Sequence, residues 1–265
     1  MATVSTAVLR VEDAAGVRTL VLNRPDRRNA LSLALLRDLL ATLDETAADV
    51  SVHAVVVRGE GPAFCAGHDL SEMTGCSLPA ARELFDTCSE LMMAIHRLPQ
   101  PVIAQVHGVA TAAGCQLVAA CDLAVASEDA RFATPGVRIG LFCSTPMVEV
   151  SRAVGRKRAL EMLLTGELID APTAADWGLV NRVVPREQLG QATLELADRI
   201  KSASSHTIAV GKVAFYEQLD RALPEAYEHA SEVMAANAVA PDAREGIDAF
   251  LSKREPHWRG REDPA

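Results

Sequence analysis

Apolar positions along the chain come in short β-prone runs that alternate with longer stretches of helical spacing. Residues 7–11 and 17–22 predict two strands joined by the polar turn EDAAG. Ser32 is placed to cap a helix reaching about residue 47. The run VHAVVV at 52–57 has no polar alternation, as expected of a strand buried on both faces of a parallel sheet. Asp69 is placed to cap a short helix into Ser71, Glu72 and Met73. A second long helix is expected from Pro79 to Leu98, ended by Pro99 and Pro101, before strands at 102–106 and 122–126. This alternation predicts an α/β protein with a parallel sheet. Residues 131–144 are expected as an irregular loop over one edge of that sheet. From residue 145 onward the pattern is helical, with segments near 145–153, 156–164, 172–176, 186–202, 206–220, 224–238 and 242–252. The expected division is an α/β core over 1–200 and a helical region over 201–265.

The chain is organised around residues 101–122, PVIAQVHGVATAAGCQLVAACD. A buried strand meets a break at His107-Gly108, and the small residues Thr111-Ala112-Ala113-Gly114 then open a second apolar run. Read as strand, turn and helix, this puts slim side chains at a helix N-terminus. The unpaired N–H groups there favour negative charge. The residues also admit a plain buried core helix with small residues for packing.

A length of 265 residues with 49% hydrophobic content allows a sizeable core. The net charge of −9 with no basic block argues against a nucleic-acid partner, and no apolar run is long enough for a membrane span. An anionic ligand would therefore have to be met by a few local cations. The six cysteines form no CxxC pair and the seven histidines lack ligand spacing, so no metal site is expected. Mostly buried, reduced thiols and the lack of a cationic, apolar leader pattern give a cytoplasmic expectation.

Four stretches, LNRPDRRNAL, FCAGHDL, HGVATAAGCQLVAACDLAVA and ATPG…GL, resemble the enoyl-CoA hydratase/isomerase (crotonase) superfamily. The segments LTG, AADWGLV and EGIDAFLSKREPHW resemble its later helices, so the likeness spans roughly residues 7 to 258. The branch it is most similar to is that of the enoyl-CoA hydratase domain-containing proteins. The resemblance implies a crotonase-like α/β spiral of β-β-α turns with a helical C-terminal trimerisation region, assembled as a trimer or a dimer of trimers. It implies an acyl-CoA thioester as ligand, with no cofactor beyond the CoA that the substrate carries. The thioester oxygen would sit between the backbone N–H groups of His68 and Ala113, where lost donors typically cost about 3 kcal/mol each. Ala66, His68, Asp69, Leu70 and Gly114 would line the ligand. Arg28 and Ala30 would meet its adenine and phosphate end, ahead of Arg24 and Arg27. Phe250 and Lys253 would reach a neighbouring subunit's CoA.

The chain departs from the family where hydratases carry two glutamates. Those positions hold Gln116, whose amide has no useful basicity, and Gly136, which has no side chain. The acid that some dienoyl isomerases place eight residues beyond the second glutamate is Ser144 here. On this mapping, restoring glutamate at 116 and 136 together should raise hydration. The remaining candidates near the acyl carbon are the His68 side chain, Gln116, Cys143, Ser144 and Glu149. The family's methylmalonyl-CoA decarboxylases also carry AGHD. Three functions follow: a hydratase-like enzyme with altered acid–base groups, an acyl-CoA decarboxylase or hydrolase-type relative, or a weakly catalytic acyl-CoA-binding protein.

Overall fold

The computed structural model describes residues 7–261. The elements, in chain order, are β1 (Leu9–Ala14), β2 (Val17–Leu22), α1 (Leu33–Ala48), β3 (Ala54–Gly59), α2 (Leu70–Met73), α3 (Leu78–Arg97), β4 (Val102–Val106), β5 (Val109–Thr111) and α4 (Ala113–Ala120). They continue with β6 (Leu123–Ser127), β7 (Arg131–Ala133), α5 (Pro146–Ala153), α6 (Arg156–Thr165), β8 (Ile169–Asp170), α7 (Ala171–Trp177), β9 (Arg182–Val184), α8 (Leu189–Lys201), α9 (Ser205–Leu219), α10 (Leu223–Ala238) and α11 (Pro241–Ser252).

The main sheet has the order β1-β2-β3-β4-β6-β9. Only β1 runs antiparallel to its neighbour. Because strand side chains alternate between faces, the uninterrupted β3 run serves two cores. Val55 and Val57 pack with the buried faces of α1 and α3. Ala54 and Val56 join Ile103, Val125 and residues Leu189 and Ala197 of α8 in a smaller cluster. Ser32 caps α1 by accepting from the Leu35 amide, which starts the helix so that Leu35, Leu36, Leu39 and Leu43 all face inward.

After β4 the chain turns out of the main sheet at Gly108, whose φ is +60° and where a Cβ would lie 2.3 Å from the Pro62 carbonyl oxygen. It then forms β5 and enters α4. The next unit repeats the plan: β6 pairs parallel with β4, and β7 pairs parallel with β5 in a second sheet completed by β8. These stacked β-β-α steps make the fold crotonase-like α/β.

The expected loop over 131–144 therefore contains a strand, and β5, β8 and β9 were absent from the sequence reading. Each spans only two or three residues, too few for a periodic signal. The helix expected over 186–202 begins as a 3-10 turn at Arg186–Gln188 before α8.

The C-terminal helices are tied to the sheet by a buried polar knot. Lys212 on α9 pairs with Asp122 at 2.6 Å and donates to the Gln100 carbonyl at 2.9 Å. Asp122 also accepts from Tyr216 and from the Val102 amide. No helix among the described residues is long and apolar enough to cross a membrane. The cysteines are free thiols, all buried except Cys76. Burial pushes Cys65 and Cys115 up to about 12.

Candidate active site

Residues 64–69 run between two backbones. Cys65 donates to the Val109 carbonyl and accepts from the Thr111 amide, which fixes one side to β5. On the other side, Leu31 donates to the Gly67 carbonyl at 2.8 Å and Asp69 donates to the Leu31 carbonyl at 3.2 Å. These bonds use the groups flanking His68 and leave its own N–H turned away from Leu31. At Gly67, with φ +94°, a Cβ would stand 2.9 Å from the Ala112 Cβ and the Thr111 oxygen, and 3.3 Å from the Ala113 nitrogen. The Gly67-His68 turn is therefore pressed against the start of α4. Gly114 allows the same closeness, since a Cβ there would be 2.2 Å from the Cys65 oxygen.

Ala112 has φ 50° and ψ −119°, a conformation that costs an alanine energy and that clusters at functional sites. Ala113 is the first residue of α4, so its N–H has no acceptor within the helix. No backbone acceptor among the described residues takes the hydrogen of either His68 or Ala113. Two free amides thus sit at one edge of a cavity of about 620 Å³.

The cavity wall contains Ala30, Ala66, His68, Asp69, Leu70, Ala112, Ala113, Gly136 and Ser144. Met73, Phe85, Ile139, Leu141, Phe142 and Cys143 make much of the rest apolar. Gly114 stands behind this wall. The His68 ring packs edge-on against Phe85, with centroids 5.3 Å apart. Neither ring nitrogen makes a hydrogen bond among the described residues. Burial lowers its pKa below the ordinary histidine value, the Leu31 backbone opposing this from outside hydrogen-bond geometry, so the ring is neutral at pH 7. Asp69 is the one acid in the wall among the described residues, and it is fully engaged. It accepts from the Ser71 hydroxyl at 2.6 Å and from Arg24 at 2.7 Å. These bonds hold its pKa at about 2.

Several expected residues lie elsewhere. Gln116, one turn along α4 from Ala113, is 2% exposed, lies outside the cavity wall and has an unpartnered Oε1. Gly136 lines the cavity, but a Cβ there would fall 2.0 Å from the Leu141 carbonyl oxygen. A glutamate at 136 would therefore require the Leu141 backbone to move, which argues against the expectation that two glutamates would restore hydration. Cys143 is buried, which raises its pKa and keeps it a thiol. Glu149 points away from the cavity to His96, 3.5 Å away, and so is no substitute acid for an acyl group.

At the first loop, Arg27 and Ala30 line the cavity while the Arg28 side chain does not. Arg28 closes the 3-10 turn Pro25–Arg27 in the left-handed region and accepts from the Ala66 amide through its carbonyl. Arg24 is structural: it donates to the Ala30 carbonyl at 2.5 Å and pairs with Asp69. Phe250, 83% exposed, and Lys253, which ends α11 with φ 53°, lie outside this chain's cavity. Sequence reasoning missed Phe85, Met73 and Arg138 as wall residues. Phe85 and Met73 carry only a helical apolar signal, and Arg138 sits in the 3-10 turn Pro135–Ile139, too short for a periodic signal.

The parallel-sheet α/β spiral of stacked β-β-α steps defines the class as crotonase-like. The chain belongs to the enoyl-CoA hydratase/isomerase family, whose model matches residues 12–261. It is 50% identical over 244 residues to the rat "Enoyl-CoA hydratase domain-containing protein 3, mitochondrial", covering 92% of this chain and 81% of that protein. Among solved structures, an enoyl-CoA hydratase from Mycobacterium smegmatis superimposes with a TM-score of 0.93 at 51% identity, covering 95% of this chain and 99% of that one. The human enoyl-CoA hydratase domain-containing protein 3 gives a TM-score of 0.93 at 47% identity, covering 95% and 100%. The cytoplasmic expectation is corrected by these likenesses, because the rat and human relatives are named mitochondrial proteins. Reduced, buried thiols do not separate one reducing compartment from another.

Proposed function

We propose that this protein is an acyl-CoA-processing enzyme that stabilises negative charge on a thioester oxygen through the N–H groups of His68 and Ala113. The observation that carries this reading is the contact of Gly67 with Ala112 and Ala113, which brings two amides without acceptors to one cavity edge. Oriented donors aimed at a developing oxyanion are worth several kcal/mol because they need no reorganisation during the reaction. The family holds hydratases and isomerases, and a hydratase needs a carboxylate to activate water. Here Asp69 is held by Arg24 and Ser71, Gln116 is an amide and Gly136 has no side chain. Hydration by a pair of carboxylates is therefore not the proposed reaction.

The engaged state of Asp69 favours a second reading, decarboxylation of a 2-carboxyacyl-CoA. Breaking the C–C bond releases carbon dioxide and leaves its electron pair as the thioester enolate, whose oxygen the two amides hold. No general base is required to form it. CoA enters as part of the substrate, with Arg27 and Ala30 at its phosphate end, and no other cofactor is proposed. A trimer built through the helical region over 201–265 is also proposed. Leu223, Tyr227, Met234, Ile247, Phe250 and Leu251 are all more than half exposed there, and such apolar surface marks contact sites. Phe250 and Lys253 would then reach a neighbouring subunit's ligand.

The test is turnover of crotonyl-CoA and of malonyl- and methylmalonyl-CoA, with acyl-CoA binding measured in parallel by calorimetry. Decarboxylation with slow hydration is the expected result. Binding without turnover of any of the three would leave a CoA-binding role. Failure to bind any acyl-CoA would overturn the reading.

A further inference from the structure

The cavity wall carries a second cation, solvent-exposed, whose charge has no protein partner among the described residues. Arg138 lies two residues beyond Gly136 in the 3-10 turn Pro135–Ile139, next to Ile139 and ahead of Leu141 and Phe142, which give the cavity much of its apolar surface. It forms no ion pair among the described residues, and its terminal guanidinium nitrogens have no hydrogen-bond acceptor there. Its side chain is nevertheless positioned. Nε donates to the Thr165 carbonyl at 3.1 Å. The stem lies against Gly166, where a Cβ would come within 3.3 Å of both the Arg138 Cγ and Nε. Gly166 has φ +61°, so the α6 C-terminus supplies both an acceptor and a slot for the arginine. Holding Nε leaves the outer edge of the fork free, the geometry that receives a carboxylate through two parallel hydrogen bonds. Arg27, on the first loop beside Ala30, is the other cation of the wall among the described residues.

We propose that Arg138 is a specificity-determining residue that selects acyl-CoA thioesters whose acyl chain ends in a carboxylate. The inference rests on the acyl-CoA reading above and adds the class of acyl group. An apolar sheath from Ile139, Leu141 and Phe142 takes the methylene chain, and the Arg138 fork takes the terminal anion. A methyl-ended chain would leave that guanidinium unpaired, while a dicarboxylic acyl group satisfies it.

The experiment compares chains of equal carbon number by calorimetry: succinyl- with butyryl-CoA, adipyl- with hexanoyl-CoA, and suberyl- with octanoyl-CoA. Three lengths are used so that the reach to Arg138 is spanned. The expected result is a preference for the carboxylate-ended member of at least one pair by about 3- to 5-fold, the range of an ion pair to an exposed arginine. In Arg138→Ala that ratio should collapse toward one, and Arg138→Lys should retain an intermediate ratio, since it keeps the charge but loses the fork. Equal or tighter binding of the methyl-ended member in every pair would overturn the proposal. So would a preference that survives Arg138→Ala. Equal weakening of both members with a lowered melting temperature would make Arg138 a staple of the loop and overturn it as well. If no acyl-CoA of either kind binds the parent protein, the underlying functional reading fails, an outcome distinct from loss of preference alone.

Discussion

Replacing Gly136 tests how the loop over the cavity is built. A Cβ at this position would stand 2.0 Å from the Leu141 carbonyl oxygen, 3.2 Å from its carbon and 2.9 Å from the Cys143 Sγ. Carbon contacts are comfortable at roughly 3.5 Å, so Leu141 would have to retreat by more than about 1 Å. The obstacle is backbone and cannot rotate aside. Residues 136 and 141 are also tied together, because the Leu141 amide donates to the Gly136 carbonyl at 3.0 Å. Overpacking of this kind costs about 1–3 kcal/mol, and losing the closing hydrogen bond adds about 1 kcal/mol. For a domain of this size each kcal/mol lowers the melting temperature by about 2–4 °C, so Gly136→Ala should melt roughly 5–15 °C below the parent. Gly136→Glu should do at least as badly and should not gain crotonyl-CoA hydration, alone or with Gln116→Glu. Thermal melts by circular dichroism and loss of the enoyl thioester absorbance are the assays. A Gly136→Ala melt within about 1 °C of the parent would refute the loop geometry. Faster hydration by the double glutamate variant would refute the claim that this loop excludes a second acid.

Three further outcomes are expected. Ala113→Pro keeps a residue that the first turn of a helix accepts but removes its N–H. Polarisation of a bound dimethylaminocinnamoyl-CoA carbonyl should then be lost, and any turnover should fall by about 100-fold; an unchanged red shift of the bound probe would dismiss Ala113 as a donor. Asp69 has its pKa lowered from 3.8 to about 2, first by the Ser71 hydroxyl and next by Arg24. Its stabilisation, about 2 kcal/mol, is therefore complete above the unfolded value and is lost as pH falls toward 2. Urea titrations should show Asp69→Asn less stable than the parent at pH 7, with the gap closing between about pH 5 and pH 2; a gap independent of pH would contradict this origin. Lys212→Met leaves Asp122 buried without its cation and should cost about 3–5 kcal/mol, partly recovered by adding Asp122→Asn. Equal melting of the single variant and the parent would show that the pair does not anchor α9.

The sequence by itself determined the order of the major elements and the family. Runs such as VVV at 55–57 are buried on both faces, and Ser32 and Asp69 cap helices where their side chains accept from the Leu35 and Ser71 amides. The small residues around Ala113 also announced a close backbone approach, because only slim side chains permit one. Signals of this kind are local: a strand run, a cap or a glycine can be recognised without knowing its neighbours. What the tertiary structure decided were relations between distant segments. The two-residue and three-residue strands β5, β7, β8 and β9 exist because partners lie beside them, not because of their own periodicity. Arg27 rather than Arg28 lines the cavity because the 3-10 turn ends with Arg28 in the left-handed region, a direction no residue type announces. Glu149 meets His96 instead of an acyl chain because α5 packs against α4 and the end of α3. Gly136 excludes a side chain because Leu141 folds back onto it, and Arg138 is poised because Gly166, 28 residues along the chain, leaves it a slot. Direction, burial and pairing are properties of three-dimensional neighbours, which a linear pattern does not encode.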